Sequence, residues 1–255
     1  MLETLGWIAI ALVGIVLGLL GGGGSILTVP IFAYLFHLDA VDATSHSLFV
    51  VGSASLVGAA LYVRQRHVDW RAAWLFGAPS VLSVVASRAL LLPWLPENLP
   101  LGANKSQAIL VLLAILMLLA AAKMLRKREA SRGEPVDRLR LLPLAGIGIG
   151  IVAGLVGAGG GFLIVPVLAL WGGLSMKRAI GTSLVLIASQ SLIGFAADLA
   201  WVEPDWSFLL RATAVALVGL VVGISLSSRV RESLLRPMFG WLTLLMAVYI
   251  LVREL

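Results

Sequence analysis

Residues 14–34 read GIVLGLLGGGGSILTVPIFAY, and residues 150–170 read GIVAGLVGAGGGFLIVPVLAL. The register between them, Gly14 to Gly150, continues without a gap as far as Asp69-Trp70 and Asp205-Trp206. Of the 57 aligned positions 23 are identical. Two halves of one chain therefore carry the same apolar pattern, each opening on a glycine-interrupted pair of segments. Internal repeats built around broken apolar segments are the sequence mark of secondary transporters and related permeases.

Working outward, the chain of 255 residues is 60% hydrophobic and 13% charged, against about 25% charged in soluble domains. Apolar runs at 5–20, 43–63, 72–92, 107–122, 141–156, 179–197, 207–226 and 237–252 are mostly long enough to cross about 30 Å of hydrocarbon. This predicts an integral membrane protein with almost no extramembrane domain. There is no cysteine, which excludes disulfides, thiolate metal sites and cysteine nucleophiles. The start MLETLGW has no Lys or Arg and reads as an uncleaved first helix, not a signal peptide. The net charge of +6 is explained by its distribution along the loops and does not call for a nucleic-acid partner.

The basic stretch 123–140, with Gly133-Glu134-Pro135 inside it, reads as a cytoplasmic linker between the halves. Placing it in the cytoplasm and alternating sides puts the turns with Arg64, Arg66 and Arg71, with Lys177 and Arg178, and with Arg229, Arg231 and Arg236 on the same side. Of the 19 Lys and Arg, only Arg88, Lys105, Arg211 and Arg253 then lie elsewhere. The bookkeeping requires each glycine-interrupted pair to enter and return to one side, so the repeats are expected to be inverted. Eight plain spans with parallel repeats would strand a basic turn outside. Lengths agree: 5–20 makes about 24 Å of helix and 26–36 only about 17 Å.

The interruptions are Gly21-Gly22-Gly23-Gly24-Ser25 and Gly157-Ala158-Gly159-Gly160-Gly161. Each glycine costs a helix about 0.5–1 kcal/mol relative to Ala, and a run of them breaks it. A short apolar half-helix follows each elbow, with Pro30 or Pro166 weakening its first turns. Two half-helix N-termini are expected to point toward the midplane, each with free N–H groups and about half a positive charge, which suits an anion. Close helix packing is the plainer use of such glycines, and Gly14, Gly18, Gly150 and Gly154 fit it. Ser25 stands where the second elbow has Gly161, and is expected to cap the half-helix and offer a hydroxyl.

The doubled pattern Gly-x-x-Gly-x-Gly-Gly-x-hydrophobic-hydrophobic-x-hydrophobic-Pro, with the two Asp-Trp turns, resembles the TauE/SafE family of permeases over essentially the whole chain. The resemblance implies a multi-pass transporter of the cytoplasmic (inner) membrane. Its substrates would be small sulfur-containing anions such as sulfite, thiosulfate or organosulfonates.

Other polar residues interrupt the apolar runs. Ser47/Ser183, Ser53/Ser189 and Ser55/Ser191 are repeat equivalents that either line a polar path or bond within and between helices. Gln190 is a large amide in an apolar run. His46 either meets an anion or shuttles a proton, or is a hydrated helix-start residue. Arg88 and Arg211 lie near the expected outer face, where snorkelling is an inexpensive explanation. Arg88 is the deeper of the two and a candidate for an anionic substrate, although its repeat equivalent is Ile224. Asp198 is expected at a helix end near the outer surface.

Rival classes find little support. Ser25 is followed by Ile26 and no histidine follows His67, so a membrane serine protease lacks its parts; no phosphate-binding loop or metal-ligand cluster is written either. No enzyme activity, cofactor or metal is expected. The partners expected are a small anionic substrate and the lipid bilayer; an anion-selective channel and a carrier of an unrelated organic anion are the alternatives. The expected fold is an all-α integral membrane protein of two inverted-topology repeats, each a glycine-broken helical hairpin plus three transmembrane helices. Residues 1–122 form the first repeat, 123–140 the linker and 141–255 the second, with both termini outside. The expected substrate-binding set is Gly22, Gly23, Gly24, Ser25, Gly159, Gly160, Gly161, His46, Ser47, Ser183, Gln190 and Arg88, serving alternating access around a midplane site.

Overall fold

The computed structural model describes residues 2–22, 24–94, 96, 104–125, 141–157, 159–227 and 232–254. Gly23, Ala158 and most of the basic linker lie outside the described residues. The first half contains α1 (Leu2–Leu20), α2 (Ser25–Leu35), α3 (Ala40–Arg64) and α4 (Trp70–Ala86). A π-helical stretch, Ser87–Leu91, leads from α4 into the short α5 (Leu92–Trp94), and α6 (Lys105–Leu125) follows. The second half contains α7 (Leu142–Val156), α8 (Gly161–Leu170), α9 (Met176–Asp198), α10 (Trp206–Ser227) and α11 (Glu232–Glu254). No strand occurs among the described residues. Four stretches, 40–64, 70–94, 177–198 and 206–226, are long and apolar enough to cross a membrane, and shorter apolar helices accompany them.

The Asp-Trp turns fix two helix starts. Asp69 accepts a hydrogen bond from the Ala72 amide at 2.9 Å, and Asp205 accepts from the Ser207 and Phe208 amides at 2.9 and 3.1 Å. Each carboxylate satisfies N–H groups that a first helical turn leaves orphaned. Trp70 and Trp206, the first helical residues, are about half exposed, as suits amphipathic rings at a membrane–water interface.

Small residues let the helices approach backbone to backbone. A Cβ on Gly14 would enter the Ala216 carbonyl and one on Gly18 the Leu220 carbonyl, so α1 and α10 run in the same sense. The equivalent residues behave alike: Gly146 meets Phe76, Gly150 meets Ser80 and Gly154 meets Val84, so α7 and α4 also run in the same sense. Gly58 packs on Leu184 and its equivalent Gly194 on Leu48, which sets α3 antiparallel to α9. These contacts recur in pairs that exchange the two halves of the chain.

The two ends of the bundle are tied differently. At one end the Asp69 amide donates to Thr182 Oγ1 at 2.9 Å, and Arg178 lies 4.0 Å from the Asp69 carboxylate. The basic turns 64–71 and 177–178 therefore share an end. At the other end Tyr34 donates to Glu254 at 2.7 Å, Ser106 donates to Asp39 at 2.7 Å, and Gln107 donates to the Glu254 carbonyl. Trp7, Phe32, Phe36 and Phe208 cluster edge to face there.

Candidate substrate site

Both hairpins break at their glycines. Gly157 leaves α7 in the left-handed region (φ 68°), and Gly160 precedes α8 in the same region (φ 64°), a conformation that penalises any Cβ. The first elbow is capped differently from expectation: the position before α2 is Gly24, with no side-chain cap bond, and Ser25 is already the first helical residue. A serine inside the first turn cannot occupy the cap's extended geometry.

The elbows touch. A Cβ on Gly22 would fall 2.7 Å from the Gly161 carbonyl oxygen, and one on Gly161 would fall 2.7 Å from Gly22 Cα. Each elbow also reaches the opposite repeat. Gly21 packs on Ile180 of α9, and its carbonyl accepts from Ser183 Oγ at 2.6 Å. Gly157 packs on Thr44 of α3, the position equivalent to Ile180. Gly24 and Gly160 instead close their own hairpins, Gly24 against Val13 and Leu17, Gly160 against Ala153 and Ile149.

The second elbow is the more polar. Gln190, buried, donates from Nε2 to the Gly159 carbonyl at 3.1 Å and accepts from Ser80 Oγ at 2.8 Å. A Cβ on Gly159 would meet Ser191 Oγ at 2.8 Å, and one on Gly157 would meet Arg88 Nη2 at 2.6 Å. Arg88 is the largest fully buried side chain among the described residues. It does not snorkel: the π-helical stretch delivers it inward, and Nη1 donates to Asp198 Oδ2 at 2.8 Å, with both side chains fully buried. Asp198 is thus at a helix end, as expected, but inside the protein instead of at its surface. The guanidinium sits beside Gly157, where α7 ends and its dipole favours a cation.

Many of these polar atoms are unspent. Arg88 Nε and Nη2 and the hydroxyls of Ser47, Ser87 and Ser191 are buried without a hydrogen-bond partner among the described residues. Each orphan of this kind carries a desolvation cost of about 1–3 kcal/mol. Those of Arg88 and Ser191 lie against the second elbow, and a polar ligand there would offset their cost.

Of the residues singled out from sequence, the structure gathers Gly22, Gly159, Gly161, Ser183, Gln190 and Arg88 around the two elbows. Ser189 bonds back to the Leu186 carbonyl at 3.0 Å. His46 is buried in the first turns of α3, where its Nδ1 donates to the Asp42 carbonyl at 2.8 Å and its ring lies 6.0 Å from that of Phe208. It belongs to the aromatic cluster. Arg211 is exposed, bonded to Ser207 one turn back. The Ser25 side chain lies outside the described residues. Sequence reasoning missed Ser80 and the Arg88–Asp198 pairing; no local signal announces a partner 110 residues away. Among the described residues no group of three His, Cys, Asp or Glu could hold a metal ion.

Spanning helices paired through glycines, two broken hairpins meeting tip to tip, and unsatisfied polar groups at the break define a polytopic membrane transporter. The model of the sulfite exporter TauE/SafE family matches residues 7–250, and the chain belongs to that family. A probable membrane transporter protein of Xylella fastidiosa (strain 9a5c) is 31% identical over 256 residues, covering 95% of this chain and 92% of that protein. One from Methanocaldococcus jannaschii is 23% identical, covering 94% of each. Another, from Bacillus subtilis, is 21% identical over 88% of this chain and 90% of its own. No solved structure matches the chain.

Proposed function

We propose that this transporter is a secondary permease for small sulfur-containing anions, sulfite, thiosulfate or organosulfonates, working by alternating access around the paired elbows. The observation that carries the reading is the guanidinium of Arg88, fully buried beside Gly157 with Nε and Nη2 unpartnered among the described residues. A tetrahedral or pyramidal oxyanion suits such a fork, which presents parallel donors in a fixed plane. The half-helix that starts at Gly161 adds free amides and the positive end of a dipole.

Inverted topology is part of the proposal. It is supported by α3 running against its repeat equivalent α9, and by the matching pairs of α1 with α10 and α7 with α4. The basic turns meeting at one end support placing that end in the cytoplasm and both termini outside. Gly22 against Gly161 then forms the closed contact that must part on one side as it tightens on the other. The tip-to-tip packing leaves no room for an anion between these two glycines, so the anion is held alongside them, toward Arg88, Ser87 and Ser191.

The test is thermal stability of the purified protein against sulfite, thiosulfate, methanesulfonate, sulfate and acetate. A ligand at a hundred times its dissociation constant adds about 2.7 kcal/mol. Stabilisation by a sulfur oxyanion, lost in Gly159→Val, supports the site. A flat response to every anion overturns it. Saturable counterflow in proteoliposomes distinguishes a carrier from an anion channel.

A further inference from the structure

The Arg88–Asp198 pair is built unlike a structural ion pair. One bond of 2.8 Å joins two fully buried side chains, while Arg88 Nε and Nη2 stay unpartnered among the described residues and Ser45 is beside the Asp198 carboxylate. A pair buried for rigidity needs its remaining donors and acceptors satisfied, because the Coulombic gain otherwise fails to cover desolvation. The fold does not require the pair either. The equivalent positions in the other repeat hold Ile224 and Tyr62, and the surrounding helix contacts, Gly154 on Val84 and Gly18 on Leu220, match. A charge pair present at one elbow only, with spare donors aimed at Gly157, points to work done at that elbow. Ionisable residues inside a membrane protein mark ion or proton pathways by default.

We propose that Asp198 stands in for the transported anion, holding Arg88 between cycles and yielding it by taking up a proton, so that one proton moves with each monoanion. The inference rests on the anion-site reading above. In the loading step a hydronium ion on the open side gives a proton to the Asp198 carboxylate and is left as water, the carboxylate becomes a neutral acid, and the Nη1–H···Oδ2 ion pair is lost. The anion's oxygens then accept from Nη1, and from Nη2 or Nε. Before loading the buried charges are a guanidinium and a carboxylate; after it they are a guanidinium and a monoanion. The site is neutral in both states and can be carried through a low-dielectric interior. An anion joining the intact ion pair would leave one uncompensated negative charge there. On the far side the anion departs, Asp198 releases its proton to water, and the pair re-forms. Return without that release would strand Arg88 unpaired, which suppresses slippage.

The elements around the pair carry few other titratable groups. α3 brings Asp42 and His46 in its first two turns, α7 brings none, and Glu203 and Asp205 lie in the connection to α10. Lys177 and Arg178, at the start of α9, and Arg71, at the start of α4, lie at the opposite ends of their helices. His46, its Nδ1 already committed to the Asp42 carbonyl, is the rival proton carrier.

The experiment is titration calorimetry of the purified full chain with methanesulfonate, and in parallel with sulfite, across mildly acidic to alkaline pH in buffers of different ionisation enthalpy. Methanesulfonate stays ionised throughout, so protons counted with it belong to the protein. The wild type is expected to take up about one proton per methanesulfonate and to lose about tenfold in affinity per pH unit on the alkaline side. Asp198→Asn is expected to bind with no proton uptake and no pH dependence. Proton-free, pH-independent binding by the wild type overturns the coupling and leaves the anion site standing. Proton uptake that persists in Asp198→Asn and vanishes in His46→Gln overturns the assignment to Asp198. Binding of neither anion by the wild type overturns the site and the coupling together. Because the proton count is read on the wild type, an unstable variant does not shelter the proposal.

Discussion

Replacing Asp198 by Leu should cost far more stability than replacing Asp198 and Arg88 together. The single change leaves a fully buried guanidinium without the carboxylate it bonds, its one hydrogen-bond partner among the described residues. Breaking a buried pair from one side costs about 3–5 kcal/mol, whereas exchanging both members for apolar residues of similar volume is often neutral or better. The repeat makes the second half of that expectation concrete, because the same fold is built around Ile224 and Tyr62 at the equivalent positions. At roughly 2–4 °C per kcal/mol for a chain of this size, Asp198→Leu should unfold about 6–20 °C below wild type. The double variant Arg88→Met with Asp198→Leu should recover most of that loss while binding no anion. Thermal unfolding in detergent, followed by the fluorescence of the eight tryptophans, reads both. A double variant as unstable as the single one would refute the reasoning, because the loss would then come from packing and not from a stranded charge.

Gly150→Ala should destabilise by about 1–3 kcal/mol, since its Cβ would run into the Ser80 carbonyl and come within 2.8 Å of Ser83 Cβ. Gly148→Ala, whose Cβ meets nothing within 4 Å, should be neutral or gain up to about 1 kcal/mol, and equal losses in the two melting curves would contradict the packing. Gln190→Leu orphans the Ser80 hydroxyl and the Gly159 carbonyl. It should cost about 1–3 kcal/mol per orphan and speed hydrogen exchange at 157–161; unchanged exchange would mean that Gln190 does not hold the elbow. Asp205 titrates below the usual carboxylate range because the Phe208 amide and then the Ser207 side chain hydrogen-bond its ionised form. A depressed folded value means that its contribution is complete above the unfolded value, about 3.9, and is lost as pH falls through the folded one. Asp205→Ala should therefore flatten the acid limb of the stability–pH profile, and an unaltered limb would count against the cap.

Much of this molecule is written plainly in its sequence. The repeat, the apolar runs and the consecutive glycines each have a local cause: period, length and the absence of Cβ act on a few neighbouring residues. That is why the breaks after Leu20 and Val156 are legible. What was hidden is relational. Arg88 and Asp198 each look like helix-end residues free to reach water, and only the packing of α4 on α9 turns them toward each other. The π-helical stretch at Ser87–Leu91 has no compositional signature, yet it rotates Arg88 into the interior. Ser25 was misread for a simpler reason: the helix begins one residue earlier than a serine cap requires, because Gly24 takes the turn.

The differences between the halves say more about mechanism than their likeness. Around the first elbow Gly21 packs on Ile180 and its carbonyl accepts from the Ser183 hydroxyl; around the second, Ile187, Val51, Ala153 and Ile149 pack beside Thr44, Arg88, Gln190 and Ser191. Two equal elbows would give two equal half-sites and no reason for either to hold a charge. Here the second elbow adds to its apolar packing a buried guanidinium whose Nε and Nη2 are unpartnered among the described residues, where the equivalent residue beside the first elbow is Ile224. An alternating carrier needs one rigid partner to move against and one that changes its bonding when the substrate arrives. The first elbow, sealed by Ser183 and Ile180, has the character of the former. The second, whose arginine meets a carboxylate through one 2.8 Å bond among the described residues, would under the proposal be the latter.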